Sequence, residues 1–326
     1  MRISLDNTPK RWLRSAFATC AVIVTVVLTL AVATPPALAY TGAGEKWEIR
    51  AFNVDDVAYV DVNGTFVDLN GTAAGNGLGF RGDSGWRNIT ALVNSKGANS
   101  GIRLRTYNRG SGYTWGFQIA RSSFGGARTI LYSAVAGTAG VTGANGNDQT
   151  RTYRWVLDRS VRVGDLVPAE LSVYAVRMGP SSGAGLGHGW ITLKNDSSKS
   201  IQVLGVWIRP GYTLSVGTWG NKGRDTAWYN LEQSAASSYV ARRSRTQSLS
   251  SAQFNAVTNW INGHKYWYTW YNCSSFASGA WNSVARYKMS LITTPTDLYN
   301  ALYSTQGGYV ANRSMGVWSG GPGYFR

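Results

Sequence analysis

A change of hydrophobic period partway along the chain is the feature that most limits how it can fold. From Trp47 to about Leu157, short runs alternate apolar and polar residues, and no helical stretch of useful length interrupts them. Ala58, Val60 and Val62 point one way, Tyr59 and Asp61 the other, and Asn63-Gly64 marks a hairpin turn. Ile102, Leu104 and Thr106 alternate with Arg103, Arg105 and Tyr107, and further strands are expected around Trp115 to Ile119, Arg128 to Ala134 and Arg151 to Leu157. Several short strands with regular turns predict a β-sandwich.

Past Gly164 and Pro168 the pattern changes. Leu171 to Met178, His188 to Lys194 and Ile201 to Ile208 read as three strands, the first two separated by a glycine-rich loop from Gly179 to Gly187. Ser250-Ser251-Ala252-Gln253 is a capping box that opens a helix with an apolar stripe at Phe254, Val257 and Ile261, closed by Gly263. A second helix opens at Cys273, with apolar residues at Phe276, Ala280, Trp281 and Val284, and Pro295 starts a third. Strands followed by helices predict an α+β domain. The expected organisation is therefore a leader at residues 1–39, a β-sandwich at 40–163 and an α+β domain at 164–326.

The leader reads as a secretory signal. Arg2, Lys10, Arg11 and Arg14 precede an apolar run from about Ala16 to Ala33, and Ala37-Leu38-Ala39 offers small residues for cleavage before Tyr40. Retention as a membrane anchor is the competing reading, and no later segment is apolar enough to span a bilayer. Without the leader the chain holds 28 basic and 15 acidic residues, a net +13. That excess favours anionic surroundings such as an envelope polymer or acidic lipid. Nucleic acid is disfavoured as a partner, because the basic residues are dispersed and form no recognition motif. Their densest cluster, Arg242-Arg243-Ser244-Arg245, is expected in a solvated loop.

Removal of the leader also removes Cys20 and leaves a single cysteine, Cys273, in the first turn of its helix. There the positive end of the helix dipole favours thiolate over thiol. Exported proteins ordinarily pair their cysteines, so Cys273 is either a reactive thiol or a buried, inert one. A nucleophile needs a base, and the chain offers two histidines. His188 begins an apolar strand after a glycine-rich loop, whereas His264 follows a helix-ending glycine in an exposed loop setting. Zinc held by His188, His264 and Cys273 would lack the short paired-ligand spacing of metal sites, and no cofactor motif is present. Paired carboxylates for glycoside chemistry are not evident either; Asp225 and Glu232 are the nearest pair, and both read as loop residues.

Two family resemblances sharpen these expectations. The stretches Asp55-Asp56-Val57, Val60 to Gly64, Trp86 to Thr90, Asn99 to Leu104 and Tyr113 to Phe117 resemble the galactose-binding-like jelly roll of many carbohydrate-binding modules. That resemblance implies sugar binding, for which Trp86, Tyr107 and Tyr113 are candidate stacking residues. Gly187-His188-Gly189-Trp190-Ile191, Gly205-Val206-Trp207 and Tyr271-Asn272-Cys273-Ser274-Ser275-Phe276-Ala277 are similar to the circularly permuted NlpC-like branch of papain-fold hydrolases. In that branch the histidine strand precedes the cysteine helix, and Thr294-Pro295-Thr296-Asp297-Leu298 resembles its proline-led helix. The resemblance implies Cys273 as nucleophile, His188 as general base and a polar orienting residue on the next strand, for which Gln202 is chosen over Ser200. Oxyanion support would come from the Cys273 N–H and a nearby side chain, Asn272, Tyr268 or Tyr266. The implied activity is cleavage of an amide or ester bond in a cell-wall peptide or extracellular protein, with lipid acyl transfer also within the group. A non-catalytic adhesin is the rival from another class.

Overall fold

The computed structural model describes residues 45–52, 57–69, 83–107, 115–122, 128–136, 155–177, 179, 185–220, 226–268, 271–285, 287–290, 292, 294–305 and 309–326. The expected leader, Tyr113, Asp225 and residues 151–154 lie outside them, as does the side chain of Tyr107. Among the described residues no helix is long and apolar enough to cross a membrane.

The front half contains β1 (Lys46–Phe52), β2 (Val57–Val62), β3 (Thr65–Asp68), β4 (Arg87–Asn88), the helix α1 (Thr90–Lys96), β5 (Gly101–Tyr107), β6 (Trp115–Ser122), β7 (Arg128–Ala136) and β8 (Trp155–Arg162). They form two four-stranded antiparallel sheets, ordered β4-β1-β6-β7 and β3-β2-β5-β8. The alternation explains why these sheets share one core. Ile49, Phe117 and Ile119 come from the first, and Val60, Val62, Ile102 and Leu104 from the second, all at most 1% exposed. Asn63 and Gly64 close the β2–β3 hairpin with φ of 58° and 88°, the left-handed pair that matches strand twist. The expectation of a helix-free front half is corrected by α1, which buries only Val93 and so carries almost no apolar period.

A short helix α2 (Val163–Leu166) leads into β9 (Ala169–Val176), β10 (His188–Asn195), β11 (Ile201–Val203), β12 (Val206–Ile208), β13 (Tyr212–Thr218), β14 (Ala227–Tyr229) and β15 (Arg243–Leu249). Three helices follow, α3 (Ser251–Gly263), α4 (Cys273–Val284) and α5 (Pro295–Ser304), then short strands β16 (Val310–Ala311), β17 (Val317–Trp318) and β18 (Gly323–Tyr324). The main sheet runs β16-β15-β9-β10-β13-β14-β18, with β17 beside β13. Its central strands are buried on both faces. Leu171, Val173, Ala175, Ile191 and Leu193 meet the helices, while Tyr174, Val176 and Trp190 pack with Tyr239 and Met315 on the other side. The capping box opens α3 with both reciprocal bonds made between Ser250 and Gln253, and Thr294 and Asp297 open α5 in the same way.

Two expectations are corrected in this half. Ile201 to Ile208 is a hairpin, turning at Leu204 and Gly205 with φ of 45° and 90°; apolar residues on both sides of Leu204-Gly205 hid the turn. Arg243-Ser244-Arg245 belongs to β15, with Ser244 fully buried and Arg245 only 5% exposed. The charged heads are accommodated by partners remote in sequence. Arg245 donates to the carbonyls of Leu302 and Thr305, and the Arg243 guanidinium lies over the rings of Tyr299, Tyr303 and Tyr309.

Both halves belong to one compact unit. Across their seam the buried Arg121 of β6 donates to the Ser248 carbonyl at 2.8 Å and to Gln253 Oε1 at 2.7 Å. Arg162 reaches the Asp196 carbonyl at 2.8 Å. Charged hydrogen bonds of this kind contribute about 1.5–3 kcal/mol each. Arg121→Ala is expected to lower stability by about 3 kcal/mol, read as a fall in Tm of roughly 6–12 °C by calorimetry. A single unchanged transition would show that the seam contributes nothing.

Candidate active site

His188 and Cys273 are the first residues of β10 and α4, and the fold brings these two element ends together. Glycine at position 189 permits the approach. A Cβ there would lie 2.8 Å from Leu298 Cδ2 and 3.1 Å from Ser274 Cα, so any side chain would push α4 and α5 off the strand. Asn272 caps α4, its side-chain oxygen accepting from the Ser274 N–H at 2.9 Å and the Ser275 N–H at 3.4 Å. That cap fixes the direction of the first helical turn and therefore of the Cys273 side chain.

The Cys273 sulfur is half-buried, free of any disulfide and lies beside the His188 ring, with the Ser274 hydroxyl 3.9 Å away. Burial alone would push the thiol up. The His188 ring beside it, the Gly189 backbone and the Ser274 hydroxyl outweigh that and hold it below the usual thiol range. His188 is 4% exposed, and burial alone would push its imidazole down. The Cys273 sulfur and then the Glu232 carboxylate reverse this and raise it to about 9. Each group therefore favours the charged form of the other, thiolate beside imidazolium.

Glu232 lies in a 3-10 turn (Leu231–Ala235) and is completely buried. Its Oε1 is 3.0 Å from His188 Nε2 and also accepts from Trp219 Nε1 at 3.3 Å, while Oε2 accepts from the Ser215 hydroxyl at 2.5 Å. With Nε2 engaged by Glu232, Nδ1 is the imidazole nitrogen left for the sulfur. Aromatic rings enclose the imidazole. Trp190 stacks at 5.4 Å, Trp219 lies 4.1 Å away and Tyr239 5.9 Å, a surround that favours the cationic ring. The Tyr239 hydroxyl makes no hydrogen bond among the described residues. Burial, then the Glu232 carboxylate and the Cys273 sulfur, raise it above the usual phenol range, so it stays protonated.

Gln202 does not orient the histidine. It is exposed on the β11–β12 hairpin, paired with Trp207, and the strand that follows β10 in the sheet is β13. Ser200 is likewise exposed. The residue in the orienting position is Glu232, held by Ser215 of β13. No period or motif marks it; the usable signal was scarcity, since only six acidic residues follow position 163. Asn272 is committed through its oxygen to the helix cap. Tyr268 is 50% exposed and bridged to Tyr271 by backbone hydrogen bonds of 3.1 and 2.9 Å, and Tyr266 is equally exposed. His264 is stacked on Trp260 at 4.3 Å with Nδ1 on the Trp260 carbonyl, and no group of three metal-ligating side chains occurs among the described residues. Trp86, a candidate sugar platform, carries the guanidinium groups of Arg50 and Arg128 at 5.0 and 5.1 Å, which compete for its faces.

Comparison with protein-family models, curated proteins and solved structures yields no match for this chain.

Proposed function

We propose that the chain is an exported thiol-dependent hydrolase of the permuted NlpC-like, papain-fold type. On this reading it acts on an amide or ester bond in a cell-envelope peptide or extracellular protein. Its front half serves as a jelly-roll module that binds a glycan or anionic envelope polymer. The placement of a helix-opening Cys273 beside a buried, Glu232-held His188 carries this reading. Export rests on the leader, and the choice of an envelope substrate on export combined with the basic surface.

In the proposed reaction the Cys273 thiolate attacks the carbonyl carbon, forming a C–S bond and an oxyanion. The Cys273 N–H and the Tyr239 hydroxyl donate to that oxygen. His188 passes its Nδ1 proton to the leaving nitrogen or oxygen as the scissile bond breaks, and Glu232 keeps the ring in place. Water then attacks the thioester, losing a proton to His188 and releasing the acid and the thiolate. Alkylation kinetics test the pair directly. At pH 6 an ordinary thiol, with a pKa near 8.5, is about 0.3% ionised. His188 holds the Cys273 thiol below the usual thiol range, so a larger share is ionised there, partly offset because a more acidic thiolate is a weaker nucleophile. Iodoacetamide should therefore label the wild type several-fold faster than His188→Ala at pH 6, an advantage that shrinks as pH rises through the ordinary thiol range. Release of new amino termini from purified peptidoglycan, absent with Cys273→Ala, would fix the substrate. Slow labelling that ignores the histidine would favour the non-catalytic adhesin.

A further inference from the structure

The β11–β12 hairpin leaves the main sheet at the Asn195 end of β10, whereas the catalytic pair sits at the His188 end. Eight strand residues at about 3.3 Å each separate the two poles by roughly 23 Å. The hairpin is built rigidly. Asn195, completely buried, donates to the carbonyls of Lys199 and Ile208 at 2.7 and 2.8 Å, and Ser197 bonds both Asn195 and Lys199. Its inward residues Val203 and Ile208 join the core.

What the hairpin turns outward is unusual for an exposed surface. Trp207 is 60% exposed, and Val317 of the neighbouring β17 is 62% exposed, with Ser319 donating to the Trp207 carbonyl at 2.8 Å. Lys199 and Arg209, at the two feet of the hairpin, are exposed, and their charged heads have no partner among the described residues. The nearby carboxyl groups are already engaged. Asp196 is buried with Lys194 on it at 2.7 Å, and Asp165 accepts from Ser198 and faces Arg162 at 3.7 Å. An exposed indole on a hairpin with two unpaired cations at its feet suits a lipid headgroup layer, where tryptophan sits at the apolar boundary and lysine and arginine meet phosphate. We propose that this pole docks on an anionic lipid surface. The proposal does not depend on the hydrolase reading; if both hold, docking turns the catalytic pair away from the bilayer.

Co-sedimentation with vesicles of equimolar phosphatidylglycerol and phosphatidylcholine tests it on the full chain. Each cation near such a surface is worth about fivefold in partitioning, so Lys199→Ala/Arg209→Ala should bind about 30-fold more weakly. Trp207→Ala should bind vesicles several-fold more weakly while leaving affinity for soluble polyphosphate unchanged. The exposed pair Arg87→Ala/Lys288→Ala, on other elements, serves as control and should lose little. Equal losses in the two double variants would mean diffuse charge attraction and overturn the proposal. Binding to polyphosphate without binding to vesicles would also overturn it, in favour of a polymer. Unchanged iodoacetamide labelling of Cys273 in each variant verifies that the fold is intact.

Discussion

Glu232→Ala should cut kcat/KM against a cleavable amide by roughly three to four orders of magnitude, the scale of losing the group that orients a catalytic histidine. The expectation rests on burial. The carboxyl is fully enclosed and receives His188, Ser215 and Trp219, so no water-exposed group stands ready to replace it. Removing it leaves the Ser215 hydroxyl and the indole N–H unpaired, at about 1–3 kcal/mol each, so rates must be measured well below the melting temperature. Glu232→Gln separates geometry from charge. The isosteric change from acid to amide at such a group costs up to about four orders of magnitude in kcat, so a loss close to that of the alanine variant would assign the effect to the charge and not to lost packing. The pH profile supplies a readout that mere loss of fold would not give. In the wild type the alkaline limb, where His188 loses its proton, is expected near pH 9. Loss of the carboxylate that helps hold the imidazolium should move that limb to lower pH. An alanine variant with an unchanged limb and rate would remove Glu232 from the proposed machinery.

Gly217→Ala should lower kcat by about a hundredfold or more without touching any polar side chain. A Cβ at this position would lie 2.4 Å from Glu232 Oε1, 3.3 Å from His188 Nε2 and 3.4 Å from Trp219 Nε1. The strand cannot retreat, because β13 is bonded to β10 on one side and β14 on the other. The carboxyl has to move instead, and a displacement of about 1 Å at a catalytic group commonly costs a hundredfold. Gly101→Ala is the control, since a Cβ there meets nothing within 4 Å and should leave the rate unchanged. Comparable rates for the two alanine variants would mean that the His188–Glu232 contact tolerates distortion and does not limit turnover.

The parts of this arrangement that the sequence made legible are those written locally. The capping residues Ser250 and Thr294, the Asn63-Gly64 turn and the alternation along β2 and β5 each depend on side chains a few positions apart. His188 and Cys273 were visible for a different reason, as one of only two histidines and the only cysteine besides Cys20, each at the start of an element. Glu232, Trp219 and Tyr239 were not legible, because their roles come from being folded over the buried face of the main sheet. Gln202 was misassigned because an apolar run conceals a turn when its marker is one glycine preceded by a leucine. Arg245 was misjudged because the carbonyls that satisfy it lie about sixty positions away.

The guanidinium of Arg121 has a consequence for how such a chain can be recombined. It grips the very glutamine that completes the α3 cap, so the front half helps hold together a helix it does not contain. A replacement sandwich spliced in ahead of position 164 would have to bring its own cation to the same spot. Wholesale swapping of the leading half is thereby restricted to sheets that carry a matching cation at that seam.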